Sequence, residues 1–472
     1  MSLFYIVFLC LFVGVIINLI CKSLGFIPKI ITTLIINILF ALLYVSLPTQ
    51  TLLSKGYYID FMLMGKIIPN IINNIHSLLF PLLIIPLAGF LGVSIGSILK
   101  KNKKTERIVA LIFLTVFVIN FFIMGFSLNA NDFSRVVVPP ESHTYSFDGH
   151  IYLRTFHLMK AGNVYYESFQ WALTQRQGSF TITSVFNIRP PFLFHFWELM
   201  PPDGMYVALL FVIMAAIMFF ASYFTVNNEL DDPLVAIITP VLMSYLFVYG
   251  ICGNWFTFHE YWAWFFLSIA IWAKQRKYNI VWISSFIICL FIRELFFFVW
   301  IVFIMTAFLN KNKKETLQLL LVFVVSLIYY MIHYYFVSKY ISISTNAAGG
   351  LSFHQWFQGS TTFAGRSFLY AGSVLYKPVL FGFFIVTMYA FASLKIFRER
   401  LKLFYPLTII PLAGVIYLFM GIPPVTYWGL LYLPCFSYLI PFFYFSTKKE
   451  IDVKNKSKKN FNAETVESAE DK

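Results

Sequence analysis

Residues 278–310 read YNIVWISSFIICLFIRELFFFVWIVFIMTAFLN, and the path of this stretch decides the arrangement of the whole chain. A helix needs about 20 apolar residues to cross a hydrocarbon layer of about 30 Å. This run is too long for one upright helix and short for two. Arg293 and Glu294 stand at its centre, where a charge facing lipid costs at least about 2.5–3.5 kcal/mol. Basic clusters flank it on both sides, KQRK at 274–277 and KNKK at 311–314. Lys and Arg gather in the cytoplasmic loops of membrane proteins. The chain is therefore expected to go out and return, turning near Arg293-Glu294 with the tip in an outward-facing aqueous cavity. The rival is one tilted helix burying an Arg–Glu ion pair, which breaks the parity of the basic loops.

The remaining sequence has the same character. Of its 472 residues 59% are hydrophobic, 20% aromatic and 12% charged, with a mean hydropathy of +0.76; soluble domains carry about 25% charged residues. Apolar runs occupy 3–21, 26–47, 78–99, 107–126, 204–225, 233–252, 259–273, 279–291, 295–309, 316–337, 372–394, 403–421 and 426–446. Lipid offers no partner to an unpaired amide, so these runs are expected to be helices. The alternating segments of an outer-membrane barrel are absent. The expected fold is an all-α polytopic membrane protein with about 13 transmembrane helices. The first run has no basic n-region or cleavage site and reads as a span, not a removed signal.

Further basic clusters at 100–107, 395–402 and 448–459 fall on the same predicted side as the first two. The loop NNELDD at 227–232 also falls there without a base, although acids contribute little to orientation. The net charge of +14 then reflects attraction to an anionic inner leaflet, not nucleic-acid binding. Residues 447–472 are polar and expected to be a disordered tail. Cys10, Cys21, Cys252, Cys289 and Cys435 stand singly and read as small buried hydrophobes. No zinc-type spacing or phosphate-binding glycine loop occurs.

This topology leaves two long segments outside, 127–203 and 338–371, and structured loops on a rigid scaffold are where chemistry gathers. In the first, SFDGHIYLRTFHLMKAGNVYY (146–166) places Asp148 at the head of a predicted helix over 149–160, with Gly162 as its C-cap. Asp148 reads either as a helix cap or as a carboxylate poised at the membrane surface to act as a general base; the two are compatible. The segment FNIRPPFLFHFWELMPPDG (186–204) follows. Further on, GNWFTFHEYWAWFF (253–266) puts His259-Glu260 at the outer end of its span.

This order of an acidic residue, an IYL…F helix, a GNVYY turn and a Pro-Pro segment resembles the first outer loop of the GT-C superfamily of integral-membrane glycosyltransferases. It is most similar to bacterial and archaeal enzymes that use polyprenyl-phosphomannose. The likeness covers roughly 107–300, with Arg189 standing where that branch has a tyrosine. Asp148 lies farther past its span than is usual, which makes Asp132 in NANDFSR the rival. Three extra spans precede the matching region.

The resemblance implies a GT-C-like arrangement: extra N-terminal helices over 1–106, a catalytic core over 107–309 that includes the first outer loop, C-terminal helices over 310–446, and the tail. It implies two large extracytoplasmic loops with juxtamembrane helices and transfer of a sugar, mannose being the commonest in the family, from a polyprenyl-phosphate donor. The acceptor would be a glycan, lipid or protein outside a prokaryotic cell membrane, and direct displacement would invert the anomeric centre. Asp148 would be the base. Arg293 would lead in binding the leaving phosphate, with Arg189 and Arg366 beside it, since a guanidinium fork matches phosphate oxygens. Glu260, His259, Tyr152, Arg154 and Glu294 would contact the acceptor or support the others. No cofactor is implied; a divalent cation assisting the phosphate would use Glu260 or Glu294.

Trp171, Trp197, Trp255, Trp262, Trp356 and Trp428 read first as membrane-belt anchors and second as faces for stacking sugars. The second outer loop, which holds Arg366, reads equally as an acceptor wall, a cover or a connector. A transporter or flippase would show internal repeats and paired broken helices near the midplane; no duplicated pattern is seen, and the polar residues cluster in the outer loops instead of mid-span. A polysaccharide polymerase would share the outer arginines.

Overall fold

The computed structural model describes residues 103–136, 148–174, 188–230, 232–247, 256–340, 379–412 and 430–444. The N-terminal segment expected to hold three spans, Arg366 and the basic tail lie outside the described residues. The described chain is all-helical, with 87% of residues in helices and none in strands. Among the described residues two helices, Gly204–Glu229 and Lys313–Ser338, are long and apolar enough to cross a membrane.

The long helix α1 (Lys103–Val136) is followed by three short ones, α2 (Asp148–Lys160), α3 (Tyr165–Thr174) and α4 (Phe192–Glu198). Then come α5 (Gly204–Glu229), a single turn Pro233–Ala236, and α6 (Ile238–Phe247). Four helices succeed them: α7 (His259–Gln275), α8 (Asn279–Ile292), α9 (Phe297–Leu309) and α10 (Lys313–Ser338). The described chain closes with α11 (Val379–Glu399), α12 (Tyr405–Ile409) and α13 (Leu433–Tyr444).

Aromatic contacts fix the directions. Phe303 of α9 packs on Trp282 and Phe286 of α8 at 5.9 and 5.2 Å, so the two helices are antiparallel. Residue 293 is extended and Glu294–Phe296 forms one 3-10 turn between them. The out-and-back turn expected at Arg293-Glu294 is present. Helix α10 then runs parallel to α8, with Tyr329 stacked on Phe291 at 4.0 Å and Gln318 donating to Asn279 at 3.2 Å.

Four basic clusters meet at one end of this bundle. Lys274 pairs with Glu315, joining KQRK to the start of α10. Gln275 donates to the Thr225 carbonyl and Glu229 at 3.0 and 3.1 Å, bringing NNELDD to the same end. The turn Pro233–Ala236 packs on α1, and Tyr223 of α5 feels the charges of both Arg107 and Asp232, which brings the basic start of α1 to this end. Trp264 of α7 donates to the Leu430 carbonyl at 2.6 Å near the opposite end, while Phe442 meets Phe404 at 4.7 Å, which brings the cluster around Lys402 to the basic end.

Two boundaries differ from the sequence expectation. Helix α1 continues to Val136 instead of stopping at 126, because polarity ends a span but not a helix, and the next proline is Pro139. Its 34 residues extend about 51 Å at 1.5 Å per residue, so Asp132 rides on this helix and not in the loop. The span expected over 233–252 is interrupted at Ile237, where a short turn gives way to α6.

Four helices end in the same hydrogen-bonded cap. After α2, Gly162 adopts φ +93°, Asn163 N donates to Leu158 O at 3.1 Å and Gly162 N to Met159 O at 2.9 Å, the pattern of a Schellman motif. The same pair of bonds closes α7 at Lys277, α9 at Lys311 and α11 at Arg400, with φ of 62°, 55° and 56°. A Cβ at Gly162 would meet nothing within 4 Å, so only backbone strain opposes a substitution there. Gly162→Ala is expected to cost about 1–2 kcal/mol, read as a lowered melting midpoint. An unchanged midpoint would mean that the cap opens at little cost.

Candidate functional site

The short helices α2, α3 and α4 lie across the end of the bundle opposite the basic loops. Tyr152 of α2 packs edge-on against Phe258 and His259 at 6.2 and 4.8 Å, and against Phe194 of α4 at 6.0 Å. Thr257 Oγ1 donates to the Gly149 carbonyl at 3.4 Å, tying the start of α2 to the segment before α7. Asp148 is the first residue of α2, four positions before Tyr152.

Helix ends supply the charged groups. Glu260 lies in the first turn of α7, and Arg293 and Glu294 form the α8–α9 turn. Arg293 Nε donates to Glu260 Oε1 at 2.8 Å, with the two side chains only 1% and 3% exposed. Its NH1 donates to Glu294 Oε1 at 2.5 Å. The same oxygen accepts from Arg189 NH1 at 3.5 Å, and Arg189 Nε donates to the Tyr152 hydroxyl at 2.9 Å. One connected network thus runs from Glu260 through Arg293, Glu294 and Arg189 to Tyr152.

The expected aqueous cavity at the tip is corrected by this arrangement. Arg293 is buried in protein, and its charge is offset by two carboxylates in place of water. A buried ion pair is tolerated only when its hydrogen bonds are met, and Glu260 supplies the bond that the adjacent Glu294 alone would not. Arg293, expected to lead in phosphate binding, is enclosed between the acids. Arg189 sits at the more open margin, with its side chain 17% exposed.

The other named residues divide. His259 is buried among Tyr152, Phe194 and Trp197, with the Thr257 backbone as the polar group beside its ring. Arg154 points away from the network, with its guanidinium 4.9 Å above the Trp171 ring. His157, one turn on, has its pKa lowered by burial and then by Arg154, so it is neutral at pH 7. The belt reading fails for Trp197 and Trp262, which are 0% exposed and pack on each other at 5.8 Å. Trp171 is exposed, while Trp255, Trp356 and Trp428 lie outside the described residues. No three His, Cys, Asp or Glu side chains among the described residues gather as a metal site, and Glu260 and Glu294 are both engaged by Arg293.

Sequence reasoning missed a second seam. Tyr165 donates to the Arg189 carbonyl at 2.5 Å and holds that residue's backbone. Tyr166 stacks on His333, Phe336 and Tyr340 at 5.8, 5.4 and 6.2 Å. Its hydroxyl lies 3.1 Å from His333 Nδ1, whose Nε2 faces the Ile188 carbonyl at 3.3 Å. A carbonyl only accepts, so Nε2 carries the proton and Nδ1 accepts from Tyr166. Burial, with Tyr340 adding to it, pushes the Tyr166 pKa up to about 12, which keeps that proton in place. The signal was present in the paired tyrosines of GNVYY and in a histidine within the aromatic run YYMIHYYF (329–336).

No protein-family model, no curated protein and no solved structure matches this chain.

Proposed function

We propose that this protein is a multi-pass membrane glycosyltransferase that moves a sugar from a polyprenyl-phosphate donor to a hydroxyl of a glycan, lipid or protein acceptor on the extracytoplasmic side. The reading rests chiefly on one observation: the arginines of two distant segments, Arg189 and Arg293, converge through Glu294 beside the start of the helix headed by Asp148. A transferase of this kind needs a base for the acceptor and cations for the departing phosphate. The GT-C-like order of the outer-loop motifs agrees with it. So does the location of the network at the end opposite the basic loops, which is the outer end if those loops are cytoplasmic.

In this mechanism the Asp148 carboxylate accepts the proton of the acceptor hydroxyl as its oxygen attacks the anomeric carbon. The bond from that carbon to the phosphate oxygen breaks, and the phosphate leaves with the bonding pair toward Arg189. Inversion follows from the single displacement. Arg293 stabilises the arrangement by fixing Glu294.

The test is incubation of the purified full chain in lipid nanodiscs with a labelled polyprenyl-phosphate sugar and a crude envelope-lipid acceptor fraction. A new glycosidic product with release of polyprenyl phosphate is the expected outcome. In sealed vesicles, movement of the labelled lipid without any new glycosidic bond would replace the enzyme with a flippase. Extension of a glycan from a pyrophosphate-linked repeat alone would make it a polymerase.

A further inference from the structure

The two carboxylates of the network are held very differently. Glu260 and Arg293 are sealed from solvent at 3% and 1% exposure, with a 2.8 Å bond between them. Glu294 and Arg189 lie at the margin, 16% and 17% exposed, and meet at 3.5 Å, the outer limit of a hydrogen bond. The second oxygen of Glu294, Oε2, is buried without a hydrogen-bond partner among the described residues. Burial costs an acceptor in that position its water, and the residue's own backbone N–H offsets only part of that loss for the carboxylate. Glu294 is therefore firmly held on its Arg293 side, at 2.5 Å, and weakly on its Arg189 side.

Carboxylate and phosphate oxygens are recognised by a guanidinium in the same way. Arg189 Nε is directed to Tyr152, while its NH1 faces Glu294. We propose that Glu294 is an internal stand-in for the substrate phosphate. In the resting protein its carboxylate holds the place at Arg189 NH1, and an arriving phosphate ester displaces it there while it stays on Arg293. This rests on the reading of Arg189 as a phosphate contact. It makes Arg293 a positioning residue and Glu294 a determinant of donor affinity: the carboxylate competes with the ligand, so binding is weaker than the arginine alone would give.

The test measures binding, not turnover. The full chain in detergent is titrated with polyprenyl monophosphate and, separately, with inorganic phosphate. Glu294→Gln removes the charge but keeps an oxygen for Arg293. Glu294→Asp keeps the charge but withdraws it from Arg189. Both variants are expected to bind polyprenyl monophosphate more tightly than wild type, Glu294→Gln by about tenfold, while Arg189→Gln loses binding. The same gain with inorganic phosphate would show that the group alone is recognised; a gain confined to the lipid would show that the chain is needed as well, and either supports the stand-in. Unchanged or weaker binding by both variants, with wild type still binding, overturns the stand-in and leaves the transferase reading intact. Absence of binding by wild type and all variants overturns the phosphate site itself.

Discussion

Arg293→Leu is expected to destabilise this fold strongly, by stranding a buried carboxylate. The substitution takes from Glu260 its ion-pair partner and leaves Glu294 with Arg189 as its remaining arginine among the described residues. Breaking one side of a buried pair costs about 3–5 kcal/mol, because the remaining charge stays desolvated. That is comparable to a sizeable part of the net stability of an ordinary domain. The measurement is the denaturation midpoint of the helical circular dichroism signal in detergent. The double variant Arg293→Leu, Glu260→Leu should recover most of the loss, since replacing both members of a buried pair by apolar groups is often close to neutral. Arg293→Lys should fall between, because a single ammonium lacks the fork that reaches two carboxylates. If Arg293→Leu melts at the wild-type midpoint, the network is not what holds the hairpin tip.

Asp148→Asn is expected to lower sugar transfer by about 10²–10⁴-fold, the usual range for losing a positioned base, with little change in the melting midpoint. Asparagine serves a helix N-terminus as well as aspartate does. The start of α2 also keeps its anchor through Thr257 and Gly149. A fall in rate without a fall in stability therefore separates the base from a mere cap. Asp132→Asn should leave the rate unchanged, since that residue lies in the body of α1, four positions before its last residue Val136. The reverse result, with Asp132→Asn inactive and Asp148→Asn normal, would move the centre to α1.

Local patterns were legible in the sequence, and long-range partnerships were not. The turn at Arg293-Glu294 followed from basic loops on both sides of one apolar run, a counting argument that needs no side-chain detail. Its burial did not follow, because the group that makes burial possible, Glu260, is 33 positions away on another helix. The two sequence alternatives each proved half right: the chain reverses, as a hairpin requires, and the charged pair is enclosed, as the single-helix rival required. Gly162 announced its cap because only a local backbone requirement was involved. Trp197 and Trp262 were misread as belt residues because composition cannot tell a lipid-facing indole from one facing another helix. Asp132 was placed in a loop because hydropathy marks where apolar side chains stop and says nothing about where backbone hydrogen bonding stops.

The caps at Lys277, Lys311 and Arg400 have a bearing on how the chain is mounted. Each holds a long cationic side chain in a left-handed conformation that glycine would adopt without the roughly 1–2 kcal/mol of steric strain, only partly relieved by the nearby helix carbonyl ends. Gly162, the same device at the other end, carries no charge. Tight reversals at one pole of the molecule are thus themselves electrically marked, and those marks cannot be swung away on a flexible loop. If the chain is seated in a bilayer, three cations anchored on fixed backbone reversals at one pole would oppose the inverted orientation, adding to the bias of the loop composition.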